Sequence, residues 1–167
     1  MLRKYFTKGV TKMKRKPMDI NRYELERDDM NTADCFTRQE GNFPPHFHSS
    51  IELVYVHSGT LNVIMDGQAY SANAGQMILT GGYSVHVYNT DEGMHNEETV
   101  MIIPMSTVPS LQKLLNKKSF KEVIYDANQD EEITAIFNMV PKHWKEYNAE
   151  TIKGISYMVL GLLISRV

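Results

Sequence analysis

Residues Phe43 to Gly59 read "FPPHFHSSIELVYVHSG". Two histidines stand one residue apart behind two prolines, a glutamate follows at position 52, and the chain then turns apolar. "IELVYVHSG" is rich in β-branched and aromatic residues and stops at Ser58-Gly59, a turn signal. Side chains on a strand alternate faces with period two. One regular strand would therefore put His46, His48, Glu52, Val54 and Val56 on one face, and Ile51, Leu53, Tyr55 and His57 on the other. Both faces are largely apolar, which fits a strand covered on both sides in a two-layer β fold.

Around this stretch the pattern repeats. "CFTRQEG" from Cys35 is a short strand candidate. "TLNVIMDGQAY" is two runs split by Asp66-Gly67, a strong hairpin signal. "GQMILTGG", "YSVHVYN" and "ETVMIIP" complete the series up to Pro104. Short strands with turns every 8 to 12 residues predict a barrel or sandwich. From Ser106 the character changes. "STVPSLQKLLNKK" predicts a short helix with Pro109 near its start. "FKEVIYD" is extended. "NQDEEITAIFNMV" predicts a helix with Asn128 as N-cap and Glu131 three residues on. Pro141 breaks or kinks that helix, and Asn148 caps the next. The expected organisation is an arm and lead-in over 1–30, a barrel over 31–104, a short helix and extended segment packed on it over 105–127, and a helical segment over 128–167.

The last helix is apolar almost all round from Tyr157 to Ile164. A surface helix carries one apolar stripe, so this one needs cover from other elements or from a second chain. Ile155, Met158, Val159, Leu162 and Leu163 are the residues expected to pair two copies. No glycine or proline stop signal closes the helix, so the expectation is a chain that ends within a larger architecture.

Bulk properties narrow the classes. The chain has 167 residues, enough for one domain with an appendage, with the apolar and charged balance of a globular protein. Its single cysteine, Cys35, cannot form an internal disulfide, so a reducing cytoplasm is expected. No secretory signal is visible. The longest apolar stretch is about half of the roughly 20 residues a membrane span needs, so no membrane partner is expected. Residues 1–16 carry seven Lys/Arg and no acid, leaving eleven Lys/Arg against twenty Asp/Glu elsewhere. An acidic body is a poor nucleic-acid binder. The arm is read as a solvated tail, with a DNA contact as the alternative.

His-x-His followed by Glu can grip a divalent metal through imidazole nitrogens and a carboxylate oxygen. The fourth ligand must come from another strand, and His86 is the candidate. His57 has the other parity, while His95 and His143 fall in turn and helix. Three readings stay open for His46, His48, Glu52 and His86. One is a site for Zn, Fe, Mn or Ni. Another is a metal-free pocket that contacts a small molecule, with Tyr88 among the lining candidates. The third is a set of structural histidines. Cys35 reads as a small buried residue and Trp144 as part of a helical core stripe.

These residues resemble the cupin superfamily. Its first motif falls on Gly41, His46, His48, Glu52 and Gly59, and its second can be laid on Gly67, Gly75, His86 and Asn89. Where that family has proline and glycine at the turn, this chain has "TGGYSV", Thr80 to Val85. Within cupins the sequence is similar to the N-terminal sensor domain of AraC-type transcription regulators, over roughly Cys35 to Val167. The resemblance implies a mainly β fold with C-terminal helices: a cupin-like double-stranded β-helix, or jelly-roll barrel, followed by a helical dimerisation segment. It implies a small polar effector held by His46, His48, Glu52, His86 and Tyr88. It also implies a homodimer through the last helices, and DNA contact only through a helix-turn-helix domain absent from these residues. No resident cofactor and no catalysis are expected on this reading. The alternative is a metal-dependent cupin enzyme, of dioxygenase or sugar isomerase type, using the same three histidines and Glu52.

Overall fold

The computed structural model describes residues 22–39, 41–115 and 120–166; the basic arm 1–16 lies outside them. In chain order the elements are β1 (Arg22–Tyr23), α1 (Leu25–Asp28), β2 (Asp34–Gln39), β3 (Phe43–Phe47), β4 (Ile51–Ser58), β5 (Thr60–Met65), β6 (Gln68–Asn73), β7 (Met77–Thr80), β8 (His86–Asn89) and β9 (Glu97–Ile103). Then follow α2 (Pro109–Leu115), β10 (Ile124–Tyr125), α3 (Glu131–His143) and α4 (Ala149–Arg166), with short 3-10 turns between them. The strands form two five-stranded sheets of order β1-β3-β8-β5-β6 and β10-β7-β4-β9-β2, the jelly-roll barrel expected from the sequence. Every pairing is antiparallel except β1 with β3. The lead-in strand β1 and helix α1 carry no clear sequence signal.

β4 is the wall that both layers share. Val54 and Val56 join Leu61, Val63, Ile78, Tyr88, Val100 and Ile102 in the core between the sheets. Leu53 and Tyr55 point the other way, into a second core with Met101, Ile133, Phe137, Val159 and Leu163 under the helices. The alternation read from the sequence holds from Ile51 to Val56. Asp66 and Gly67, at φ 49° and 84°, form the predicted hairpin turn between β5 and β6.

The regular strand drawn through His46, His48 and Glu52 does not form. β3 ends at Phe47 and β4 begins at Ile51, in the opposite sheet. Pro44 and Pro45 have no N–H to give to a ladder, and the β3–β8 register shifts between Phe43 and His46. The Asp28 carboxylate then accepts bonds from the Ser49 backbone N–H at 2.9 Å and the Ser49 hydroxyl at 2.5 Å, holding the connector as the chain crosses between sheets.

In the helical layer, Asn148 caps α4 as expected, accepting from Thr151 N–H at 2.9 Å. The cap of α3 is Asp130 and not Asn128: its carboxylate accepts from Ile133 N–H at 3.1 Å. Asn128 is taken up by the preceding 3-10 turn and donates to the Ala74 carbonyl at 3.3 Å. Pro141 sits in the last turn of α3, which then tightens to a 3-10 turn over Trp144–Glu146. Half-buried Trp144 packs on the helical core. Of the five residues expected to pair two copies, Val159 and Leu163 are fully buried in this chain's own core, so they face inward. Ile155 and Leu162 are half-buried, and Met158 is 50% exposed. Among the described residues no helix is long and apolar enough to cross a membrane.

Candidate functional site

Crossing from β3 to β4 brings His46 and Glu52 face to face from opposite sheets. β8 adds His86, which registers opposite His46. His48 enters from the connector. All four side chains are buried, and one ligand atom from each lies within 4.8 Å of every other. The four residues named from the sequence do come together, but not for the reason given there: they converge from β3, the connector, β4 and β8 and do not line one strand.

Three backbone carbonyls orient the rings. Nδ1 of His46 bonds to Pro44 O at 2.9 Å, that of His48 to Ser50 O at 3.1 Å, and that of His86 to Ser84 O at 2.8 Å. A carbonyl only accepts, so each Nδ1 carries the proton. In the neutral tautomer the Nε2 of His46 and of His86 then presents a lone pair. His48 Nε2 lies 3.2 Å from Glu52 Oε2. His86 Nε2 lies 3.9 Å from the same oxygen, too far to bond, and has no hydrogen-bond partner among the described residues. Buried Tyr88 stands beside them, its hydroxyl 3.2 Å from Thr80 Oγ1 and its ring 5.4 Å from that of His86.

The charges are coupled. Burial works against the Glu52 carboxylate, but His48 and His86 outweigh it and hold the carboxyl well below its usual range. Burial pulls His86 down, yet the charge of Glu52 and the Ser84 carbonyl leave it above the ordinary imidazole value. His46 is lowered, by burial first and then by His86. Burial, then the Glu52 charge, lifts the Tyr88 phenol. The donor set fits a divalent transition metal. Three imidazoles with fixed outer hydrogen bonds and one carboxylate are a familiar ligand combination, and the unpaired His86 Nε2 is a ready donor.

The five residues named for effector contact therefore meet in one place. His57 does not join them; its Nε2 lies 2.7 Å from Thr99 Oγ1 on the helical side of the sheet. His143 pairs with Glu146 on the surface, and His95 lies in the β8–β9 loop. Cys35 lies in the helical core, its thiol pushed up to about 12 by burial and then by Asp34. Sequence reading missed Arg38, whose guanidinium lies 5.4 Å from the Tyr88 ring centroid, and Glu98, which pairs with it at 2.6 Å. The available signal was parity: Arg38 shares the inward face of β2 with Phe36.

Residues 35–161 match the model of the family described as AraC-like ligand binding domain. Among solved structures, ToxT from Vibrio cholerae O395 has a TM-score of 0.53 at 14% identity, over 81% of this chain and 57% of that one. Salicylate 1,2-dioxygenase from Pseudoaminobacter salicylatoxidans, as a variant, has a TM-score of 0.40 at 19% identity, over 50% of this chain and 24% of that one. The EutQ protein of Clostridium difficile has a TM-score of 0.39 at 22% identity, over 44% and 57%. The chain thus spans less than two thirds of each of these proteins. No curated protein matches the sequence.

Proposed function

The chain belongs to the AraC-like ligand binding domain family, and on that premise we propose that it is the effector-sensing and dimerisation part of an AraC-type transcription regulator. The observation that carries the proposal is the buried cluster of His46, His48, Glu52 and His86 beside Tyr88, inside the barrel of such a domain. A small polar molecule would meet imidazole donors or acceptors, a carboxylate and a phenol there, with one ring nitrogen free to bond. The ToxT structure, of the same fold, is bound to (E)-4-(8-methylnaphthalen-1-yl)but-3-enoic acid, so that protein takes a small organic molecule.

β4 supplies the link to output. Glu52 and Val54 face the barrel interior while Leu53 and Tyr55 face the helices, so a ligand that shifts β4 biases the helical layer. On this reading DNA contact would be made by a helix-turn-helix domain that these residues do not include. The direct check is the gene: about 100 further codons with helix-turn-helix spacing support the regulator reading, and a stop after codon 167 contradicts it.

Dimerisation uses the outer stripe of α4, where Ile155, Met158 and Leu162 lie about one turn apart. Sedimentation velocity should give a dimer for the wild type. Met158→Lys, at an exposed position, should weaken association at least tenfold and leave the unfolding temperature of the protomer unchanged. A monomeric wild type at high concentration contradicts this use of α4.

A second reading is favoured by the convergence of four donor atoms: a metal-dependent cupin enzyme. A divalent ion held by His46, His48, Glu52 and His86 would supply Lewis acidity toward a bound substrate. The Pro44, Ser50 and Ser84 carbonyls would keep the three Nε2 atoms aimed inward. Elemental analysis decides between the readings: less than about a tenth of an equivalent of any transition metal after reloading removes the enzyme reading.

A further inference from the structure

A second polar cluster shares the inner face of the barrel. Glu52 registers with Ile102, and Val56 with Glu98. Glu98 therefore faces the same side as Glu52, four residues along, about 14 Å away at the usual strand rise. Arg38 registers opposite Glu98 and donates Nε–H to Glu98 Oε1 at 2.6 Å. Its guanidinium lies over the rings of Tyr88 and Phe43, at 5.4 and 5.5 Å. The same two rings pack on His86 and His46. This cluster and the histidines thus touch one aromatic wall.

Three buried polar atoms of the cluster have no hydrogen-bond partner among the described residues: Arg38 Nη2, Glu98 Oε2 and Asn96 Nδ2. Asn96 is oriented, because its Oδ1 accepts from Gly41 N–H at 3.3 Å and from the Thr90 hydroxyl at 3.1 Å. Gly41 admits the carboxylate, since a Cβ there would come within 2.2 Å of Glu98 Oε1. Glu98 and Asn96 are almost wholly buried. The Nε–Oε1 bond is one arm of the fork an arginine can make with a carboxylate; Nη2 and Oε2, which could form the other arm, are not bonded to each other, and Asn96 Nδ2 is left over beside them.

We propose that Arg38, Glu98 and Asn96 form a second subsite in the barrel, for a neutral group that carries a hydrogen-bond donor beside an acceptor: a vicinal hydroxyl pair or a primary carboxamide. Charge and proton inventory select that class. A carboxylate would accept from Arg38 and Asn96 but bring no proton to Glu98, and the two anions would repel. An ammonium would satisfy Glu98 but face two donors, one of them cationic. A hydroxyl pair or an amide serves both at once. Phe43 and Tyr88 offer apolar faces for the carbon skeleton. The proposal rests on the reading of the barrel as an effector site, and it names the chemistry at one end of that site.

The test is a titration of the full chain followed by NMR, observing the Arg38 Nε–Hε, Asn96 side-chain amide and histidine ring signals. The probes are xylitol, propanamide, propionate and ethylammonium. Xylitol or propanamide should shift the Arg38 and Asn96 signals, and which of the two does so separates hydroxyl from amide recognition. Propionate and ethylammonium should leave both signals in place. Glu98→Gln should weaken the neutral probe about tenfold. If that variant does not fold, Arg38→Lys, which keeps the charge but loses the fork, should give the same loss. The subsite is overturned if a charged probe moves Arg38 and Asn96 as far as the neutral ones do. It is equally overturned if no neutral probe moves them, or if the loss is absent in the variant. Histidine shifts without Arg38 and Asn96 shifts overturn the subsite and leave the effector reading standing.

Discussion

Glu52→Gln should lower stability by about 3 kcal/mol, because it leaves two buried imidazoles facing an amide where they had a carboxylate. The loss should depend on pH in a defined way. The folded-state value of Glu52 lies well below its ordinary value of 4.5, so its contribution is present above that pH and fades as pH falls through the lower folded value. The folded-state value of His86 lies above its ordinary value of 6.5, because Glu52 outweighs the effect of burial. The contribution of His86 is therefore complete below 6.5 and fades as pH rises through the higher folded value. The gap between wild type and variant should be widest between 4.5 and 6.5 and narrow on both sides. Urea denaturation of both proteins at a series of pH values measures it. A gap that does not change with pH would mean that Glu52 and His86 are not coupled.

Phe137→Ala should cost about 3–5 kcal/mol. Phe137 is fully buried on α3 and stacks on Tyr55 of β4, with ring centroids 5.7 Å apart and planes at 28°. Deletion of the ring empties the joint between the barrel wall and the helices. At about 2–4 °C per kcal/mol for a chain of this size, the unfolding temperature should fall by roughly 10 °C. A loss under about 1 kcal/mol would show that the helical layer is not docked on β4 as described. Because Glu52 and Tyr55 lie on opposite faces of one strand, the same variant should also weaken any effect of a barrel ligand on the helices.

Much of the fold is legible locally. The β-branched run in β4 and the Asp66-Gly67 turn are short-range signals, and they predict the elements that form. The all-round apolar character of α4 predicts cover, and Val159, Leu160 and Leu163 receive it from this chain's own core. What is not legible is long-range. Period-two counting assumes an unbroken strand, and nothing in "HFHSSIE" says that the chain changes sheets at Ser49. That crossing depends on Asp28, 21 residues earlier in sequence. Asn128 and Asp130 are both acceptable caps by residue type, and only the preceding 3-10 turn decides between them. Arg38 and Glu98 escaped notice because each alone reads as a solvated charge. Parity puts Arg38 on the inward face of β2, but the pairing with Glu98 follows from the β2–β9 register, which parity alone does not supply.

On the proposed function, the cluster of His46, His48, Glu52 and His86 holds a small-molecule effector. This is tested most directly by the unfolding temperature of wild type and His86→Ala across a panel of small polar metabolites. A ligand present at 100 times its dissociation constant stabilises by about 2.7 kcal/mol, which raises the unfolding temperature by roughly 5–10 °C. At least one compound should produce this rise in wild type and leave the variant unmoved. A compound that raises both equally, or a panel in which none raises the wild type, would contradict it.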